Sequence, residues 1–312
     1  MKRSPFDILR RGFDNVLANW PLLIVRLGEA AALVVAGLTL LALAALPAIA
    51  YVGVTALPQF DSLEDVAGLA PLLLGYWGVA LYAIVAASVV LMILVAVHSF
   101  VEAGMLRIYV DGERAAGAMV EAPRDLYPRY SWDRFRAGAK AGWLTIFWIY
   151  NAIWGVWGMA VLIPLLPTLA GVLLLRDEPQ TALGVGCVGI AIAILVMIPA
   201  TIACSLWSTK ALVTSVARDS GTRDSMRIAW REVRTDFVRH FVVTLIVIVV
   251  SMAASSFVSS FGYLAALGRS GAFRLIMIPM QLIIWILSTF ISGATSSWLA
   301  ASYAAITPES KP

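Results

Sequence analysis

The chain has 312 residues, of which 61% are hydrophobic and only 13% charged, with a mean hydropathy of +0.86. A soluble domain runs to about 45–50% apolar and about 25% charged residues, so the excess is too large for a water-borne fold that must still cover its surface with polar groups. A net charge of +4 and a pI of about 9.2 would suggest nucleic acid in a soluble protein, but here the basic residues stand beside apolar blocks, where anionic lipid head groups are the simpler partner.

The N-terminal stretch carries Lys2, Arg3, Arg10 and Arg11 among Phe6, Asp7 and Asp14. It lacks the short apolar run and small-residue cleavage site of a signal peptide. Phe6, Leu9, Phe13, Val16, Leu17 and Trp20 recur at spacings of three and four. That pattern predicts an amphipathic helix lying in the membrane interface. Six apolar blocks follow, at 21–57, 69–101, 141–175, 182–208, 241–263 and 275–305. Most exceed the ~20 residues that cross a hydrocarbon core. Pro164 and Pro167 predict a bend or break in the third block, and Pro199 and Pro279 milder kinks later.

The connectors alternate in charge. Residues 58–68 hold Asp61, Glu64 and Asp65 and no basic residue; 176–181 hold only Arg176; 264–274 hold Arg269 and Arg274. Residues 1–26 hold five Lys/Arg, 102–140 seven and 209–240 seven, so with Lys311 one side carries 20 of the 23 basic residues. The positive-inside rule makes that side cytoplasmic. The expectation is a multi-pass protein of the plasma membrane with both termini in the cytoplasm.

Two further basic amphipathic segments precede blocks three and five. The first sets Trp132, Phe135, Ala139 and Trp143 among Arg134, Arg136 and Lys140. The second sets Met226, Trp230, Val233, Phe237 and Phe241 among Arg227, Arg231, Arg234 and Arg239. The sequence therefore predicts an all-α fold: one integral membrane domain over 1–312, with six transmembrane helices as three hairpins, each introduced by a cytoplasmic interfacial helix. The three hairpins read as repeats over 1–101, 102–208 and 209–312, with a period of about 110–125 residues. The competing reading is that any cytoplasmic connector tends to become basic and amphipathic.

The inventory for chemistry is thin. No Walker-type loop, HExxH or GxSxG is present, and there are two histidines, so no enzyme activity and no cofactor are expected. Cys187 and Cys204 lie 17 residues apart in one apolar block, about 25 Å along a helix, beyond disulfide reach. The sharpest constellation is His98 with Glu102 and Asp236 with His240, each pair four residues apart at a cytoplasmic helix end. Joined, the four side chains could bind a divalent metal; the plainer reading pairs each histidine with its own neighbour. Ionisable or amide side chains within spans are suspects for function. These are Arg26 and Glu29, three apart and expected to pair or to reach the head groups, and Asn151 and Gln281, expected to bond across helices. Ser251, Ser255 and Ser259, and Ser288, Ser292 and Ser296, recur every four residues, as helix-packing stripes do. Arg10, Arg11, Arg134, Arg136, Arg227, Arg231 and Arg234 are the candidate contacts to anionic head groups.

Glu102-Ala103-Gly104-Met105, Gly112-Glu113 and Trp132 to Phe135, with Asp224-Ser225-Met226 through Trp230-Arg231-Glu232 to Phe237, resemble motifs of prokaryotic six-helix membrane families of uncharacterised function. These include the membrane domain attached to some glycerophosphodiester phosphodiesterases. In that class the chemistry resides in a separate soluble domain, which this sequence is not expected to carry. What the likeness implies is a membrane-embedded, lipid-facing helper. The favoured expectation is a lipid-engaging accessory or scaffold protein, with a protein partner at its basic face. The alternatives are a permease or the membrane subunit of an ATP-driven transporter docked to an ATPase, and a membrane enzyme using the histidine cluster as a metal site.

Overall fold

A computed structural model describes residues 3–55, 77–117, 119, 122–175, 177–266 and 271–307. Among these residues the regular structure is all helical. The helices are α1 (Pro5–Ala18), α2 (Pro21–Thr55), α3 (Trp77–Ala116), α4 (Trp132–Leu174), α5 (Pro179–Ala217), α6 (Thr222–Thr235), α7 (Phe237–Ala266) and α8 (Gly271–Ile306), with a 3-10 turn at Arg124–Leu126. Six of them, α2, α3, α4, α5, α7 and α8, contain stretches long and apolar enough to cross a membrane.

The helix boundaries follow from local chemistry. Ser4 caps α1: its hydroxyl accepts the Asp7 N–H while the Asp7 carboxylate accepts the Ser4 N–H at 2.9 Å, a reciprocal capping box. The Ser4 bonds hold the Asp7 carboxyl below the usual carboxylate range. Pro21 has no N–H to continue α1, so the chain breaks at Asn19–Trp20 and restarts with proline in the first turn of α2. Gly117, at φ +61°, ends α3 in the left-handed conformation that glycine tolerates. Pro47, Pro164, Pro167, Pro199 and Pro279 all lie inside continuous helices. Of the bend or break expected in the third block, there is no break, as a membrane helix can carry proline when neighbours satisfy the freed carbonyls.

Two other boundaries differ from expectation. α3 runs to Ala116, fifteen residues past the apolar block, because Ala103, Met105, Leu106, Tyr109 and Val110 are buried and no proline interrupts the stretch before Gly117. The basic segment before block three is not a separate helix: Trp132 to Leu174 is one unbroken helix. α6, by contrast, is separated from α7 at Asp236.

The chain divides into two compact units, Met1–Leu27 with Ser99–Pro312, and Gly28–His98. In the larger unit the buried core lies at one end of the helices. It gathers the N-terminal parts of α4 and α7 and the C-terminal parts of α3, α5 and α8 around α1 and α6. Ile8, Leu9 and Val16 of α1 pack there with Tyr109, Phe135, Ile146, Val213, Val243 and Tyr303. Beyond this end the helices expose large apolar side chains, such as Ile163, Leu166, Leu173, Leu195, Ile198 and Met252. Such a surface has no stable place in water and suits a bilayer. α4 packs along α5, where a Cβ on Gly189 would overlap Thr168, and α7 packs along α8. In the smaller unit α2 meets α3 where Gly37 faces Leu94.

The packing seam of the last two helices differs from the predicted serine stripes. Ser251 bonds the Thr295 hydroxyl at 3.1 Å, and Thr244 bonds the Tyr303 hydroxyl at 2.8 Å. On α8 the buried set includes Gly293, Ser297 and Ala301, four residues apart, while Ser292, Ser296 and, on α7, Ser259 are exposed.

Candidate functional site

Charged side chains concentrate in the packed end of the larger unit, and most are consumed by one another. Arg11 is 2% exposed and reaches Glu113 at 2.7 Å, while Arg3 reaches the same carboxylate oxygen at 2.8 Å. The two guanidiniums also donate to the backbone carbonyls of Gly117, Met119 and Ala305. Tyr127 is buried beside this cluster; burial, and then the Glu113 charge, push its hydroxyl up to about 12. Asn15, wholly buried, donates to the Tyr109 carbonyl at 2.9 Å across Gly112, where a Cβ would collide with the amide. These bonds bind the N-terminal helix to residues roughly a hundred positions later. They also overturn one expectation: Arg11 is an internal ion-pair residue, turned from the head groups because Glu113 is its counter-ion.

A second cluster joins α5, α6 and α8. Lys210 is fully buried; its ammonium contacts Glu232 at 2.9 Å and the Thr307 hydroxyl at 2.9 Å. Arg218 holds the other Glu232 oxygen at 2.5 Å. His240 is 2% exposed, edge-on to Tyr303, with Nδ1 at 2.9 Å from the Asp236 carbonyl oxygen. Because a carbonyl only accepts, Nδ1 carries the proton.

Two of the four intramembrane suspects, Arg26 and Glu29, have cross-helix partners. Arg26 passes over Gly293, where a Cβ would meet its side chain at 2.9 Å, and pairs with Glu102 at 2.6 Å. Within the smaller unit, Glu29 takes His98 Nδ1 at 2.7 Å. Asp236 pairs with Arg239 at 2.8 Å. Both carboxylates proposed for a metal, Glu102 and Asp236, are thus engaged with arginine, and His98 is engaged with Glu29 instead. Among the described residues no group of three or more His, Cys, Asp and Glu side chains is placed to hold an ion. Asn151 does not bond across helices as expected; it donates to the Phe147 carbonyl one turn back, at 2.8 Å. Gln281 is exposed on α8. An open apolar concavity of about 450 Å³ runs along α3, lined by Ile84, Val85, Val89, Met92 and Ile93. Its one hydroxyl, Ser88, donates to Ile84, so the wall offers a polar solute little.

The remaining basic candidates face outward. Arg10, Arg134, Arg136 and Lys140 are exposed. On α6, Arg223, Arg227, Trp230, Arg231 and Arg234 form one exposed ridge, while Ser225, Ala229 and Val233 are buried on the opposite face. Arg227 shares Asp224 at 3.0 Å; Arg223, Arg231 and Arg234 have no carboxylate partner among the described residues. Trp207 fixes the helix, donating to the Met226 carbonyl at 2.8 Å and packing on Trp230. Sequence reasoning missed the Lys210–Glu232 and Arg11–Glu113 pairs, because each partner taken alone reads as a solvated charge. Compared with known proteins, the chain matches no family model, no curated protein and no solved structure.

Proposed function

We propose that this is a non-enzymatic multi-pass protein of the plasma membrane, both termini cytoplasmic, that serves as a lipid-engaging accessory or scaffold. The observation that carries the reading is the α6 ridge: four exposed arginines on one face of a helix held to the bundle by Trp207, three of them without a carboxylate partner among the described residues. Unpaired cations next to membrane spans attract anionic lipid head groups, each contributing about 1 kcal/mol near the surface. The buried charges support a scaffold role, since they tie helices to one another. The likeness to the membrane domain of glycerophosphodiester phosphodiesterases points the same way, toward a lipid-facing helper.

The test is a lipid titration of the detergent-solubilised protein against phosphatidylglycerol and phosphatidylcholine. The triple variant Arg227→Glu, Arg231→Glu, Arg234→Glu should bind phosphatidylglycerol at least about 100-fold more weakly, from about 1 kcal/mol per arginine, with phosphatidylcholine unaffected. Equal phosphatidylglycerol binding by wild type and variant refutes lipid engagement through this ridge.

A further inference from the structure

α1 turns one face into the bundle and leaves much of the other uncovered. Inward, the Leu9 carbonyl accepts the Trp298 indole N–H at 2.7 Å, Gly12 lies against Ser302, Asn15 bonds the Tyr109 carbonyl and Arg11 bonds Glu113. These contacts fix the rotation of the helix about its axis. Outward, Phe6 of α1 and Trp20 just past its end are 73% and 57% exposed, with Arg10 exposed between them, and Phe13, whose ring meets the edge of Trp298 at 5.9 Å, is still 46% exposed. The periodic apolar set in the sequence is therefore split, Leu9 and Val16 facing protein and Phe6, Phe13 and Trp20 facing out.

We propose that this outward face is bedded in the head-group layer of the leaflet that α2 enters, and that it anchors the packed end of the bundle at a fixed depth. Chain continuity identifies the occupant. Only Asn19 and Trp20 separate α1 from Pro21, where a candidate span begins, and Ile24, one turn into that span, is already 57% exposed. The outer face of α1 thus runs into the lipid-facing surface of α2. Aromatic side chains with an interspersed arginine are the composition that the membrane interface favours. Because the inner face is held by specific bonds, α1 is a built-in anchor and does not exchange on and off the surface. The proposal rests on membrane embedding and is independent of the α6 ridge.

The experiment places nitroxide labels at Phe6 and Phe13 in a cysteine-free background (Cys187→Ala, Cys204→Ala), reconstituted in pure phosphatidylcholine, where the arginine ridge has no anionic ligand. Leu38 serves as the hydrocarbon reference and Asp125, exposed in the 3-10 turn, as the reference outside the hydrocarbon. Labels at 6 and 13 should collide with oxygen more than with a water-soluble nickel chelate, at a depth between the two references. Preference for the chelate overturns the proposal, and so does protection from both reagents, which a covering protein or second copy would give. Wild-type protein in vesicles holding a phosphatidylcholine with a head-group diazirine provides a second measurement free of cysteine changes. Adducts within residues 5–20 are expected; adducts confined to other segments overturn the proposal.

Discussion

Removing Glu232 should destabilise the protein far more than removing Lys210, although the two make the same ion pair. Lys210 is fully buried and its ammonium has Glu232 at 2.9 Å and the Thr307 hydroxyl at 2.9 Å. At an effective dielectric constant of about 20, an ion pair at that separation is attracted by about 6 kcal/mol before desolvation is counted. Glu232→Leu takes away the counter-ion and leaves the ammonium buried with a hydroxyl for company, a change that costs about 3–5 kcal/mol when the stranded charge is sealed from water. Lys210→Met keeps the volume and removes the charge. Glu232 keeps Arg218 at 2.5 Å and is 21% exposed, so it is not stranded, and the expected cost is about 1 kcal/mol or less. The double variant should recover most of the loss, because the fully buried ammonium is gone and Arg218, which also loses Glu232, is 24% exposed and reaches water. Thermal unfolding in one detergent, followed by helical signal, ranks the variants. Equal losses for Lys210→Met and Glu232→Leu, or a double variant no better than Glu232→Leu, would refute the reasoning.

Two other perturbations test how α1 is held. Gly12→Val would place a Cβ on Ser302, where it would stand 2.2 Å from the hydroxyl and 2.7 Å from the backbone nitrogen; α1 should detach, with limited proteolysis newly cutting residues 5–18 while the helical content of the spans persists. At the capping box, the depressed Asp7 carboxyl contributes stability that is present above its unfolded value near 3.8 and lost as pH falls through the lower folded value. Protection of the α1 amides from exchange should therefore drop in acid in wild type and be pH-independent there in Asp7→Asn.

The spans were legible because membrane crossing writes itself in composition. Long apolar runs mark α2, α4, α5, α7 and α8 within about ten residues of their ends, most of them closer, and Pro21 marks the break after α1. The end of α3 was also readable, in the apolar positions from Ala103 to Val110 followed by Gly117, but the charges of 102–140 masked it as a connector. The side-chain clusters were not legible. Spacing of four brought His98 together with Glu102 and Asp236 with His240, yet Glu102 goes to Arg26, His98 to Glu29 and Asp236 to Arg239. Sequence spacing shows which residues share a helix face, whereas pairing depends on what the neighbouring helix presents. The serine stripes show the same limit. Both Ser288-Ser292-Ser296 and Gly293-Ser297-Ala301 recur every four residues, and only tertiary packing selects the second for burial. Arg11 and Arg10 are adjacent basic residues on one helix; the rotation of α1 against α8 sends one to Glu113 and the other outward.

The most direct test of the account is the side of the membrane on which the charged end lies. Single cysteines at Ser4, Arg227 and Asp177, in the cysteine-free background, would be reacted with a membrane-impermeant maleimide in intact cells and again after permeabilisation. The account predicts that position 177 reacts in intact cells and that positions 4 and 227 react only after permeabilisation. Reaction of 4 and 227 in intact cells would contradict it, placing the arginine ridge outside and removing the cytoplasmic lipid surface as its partner.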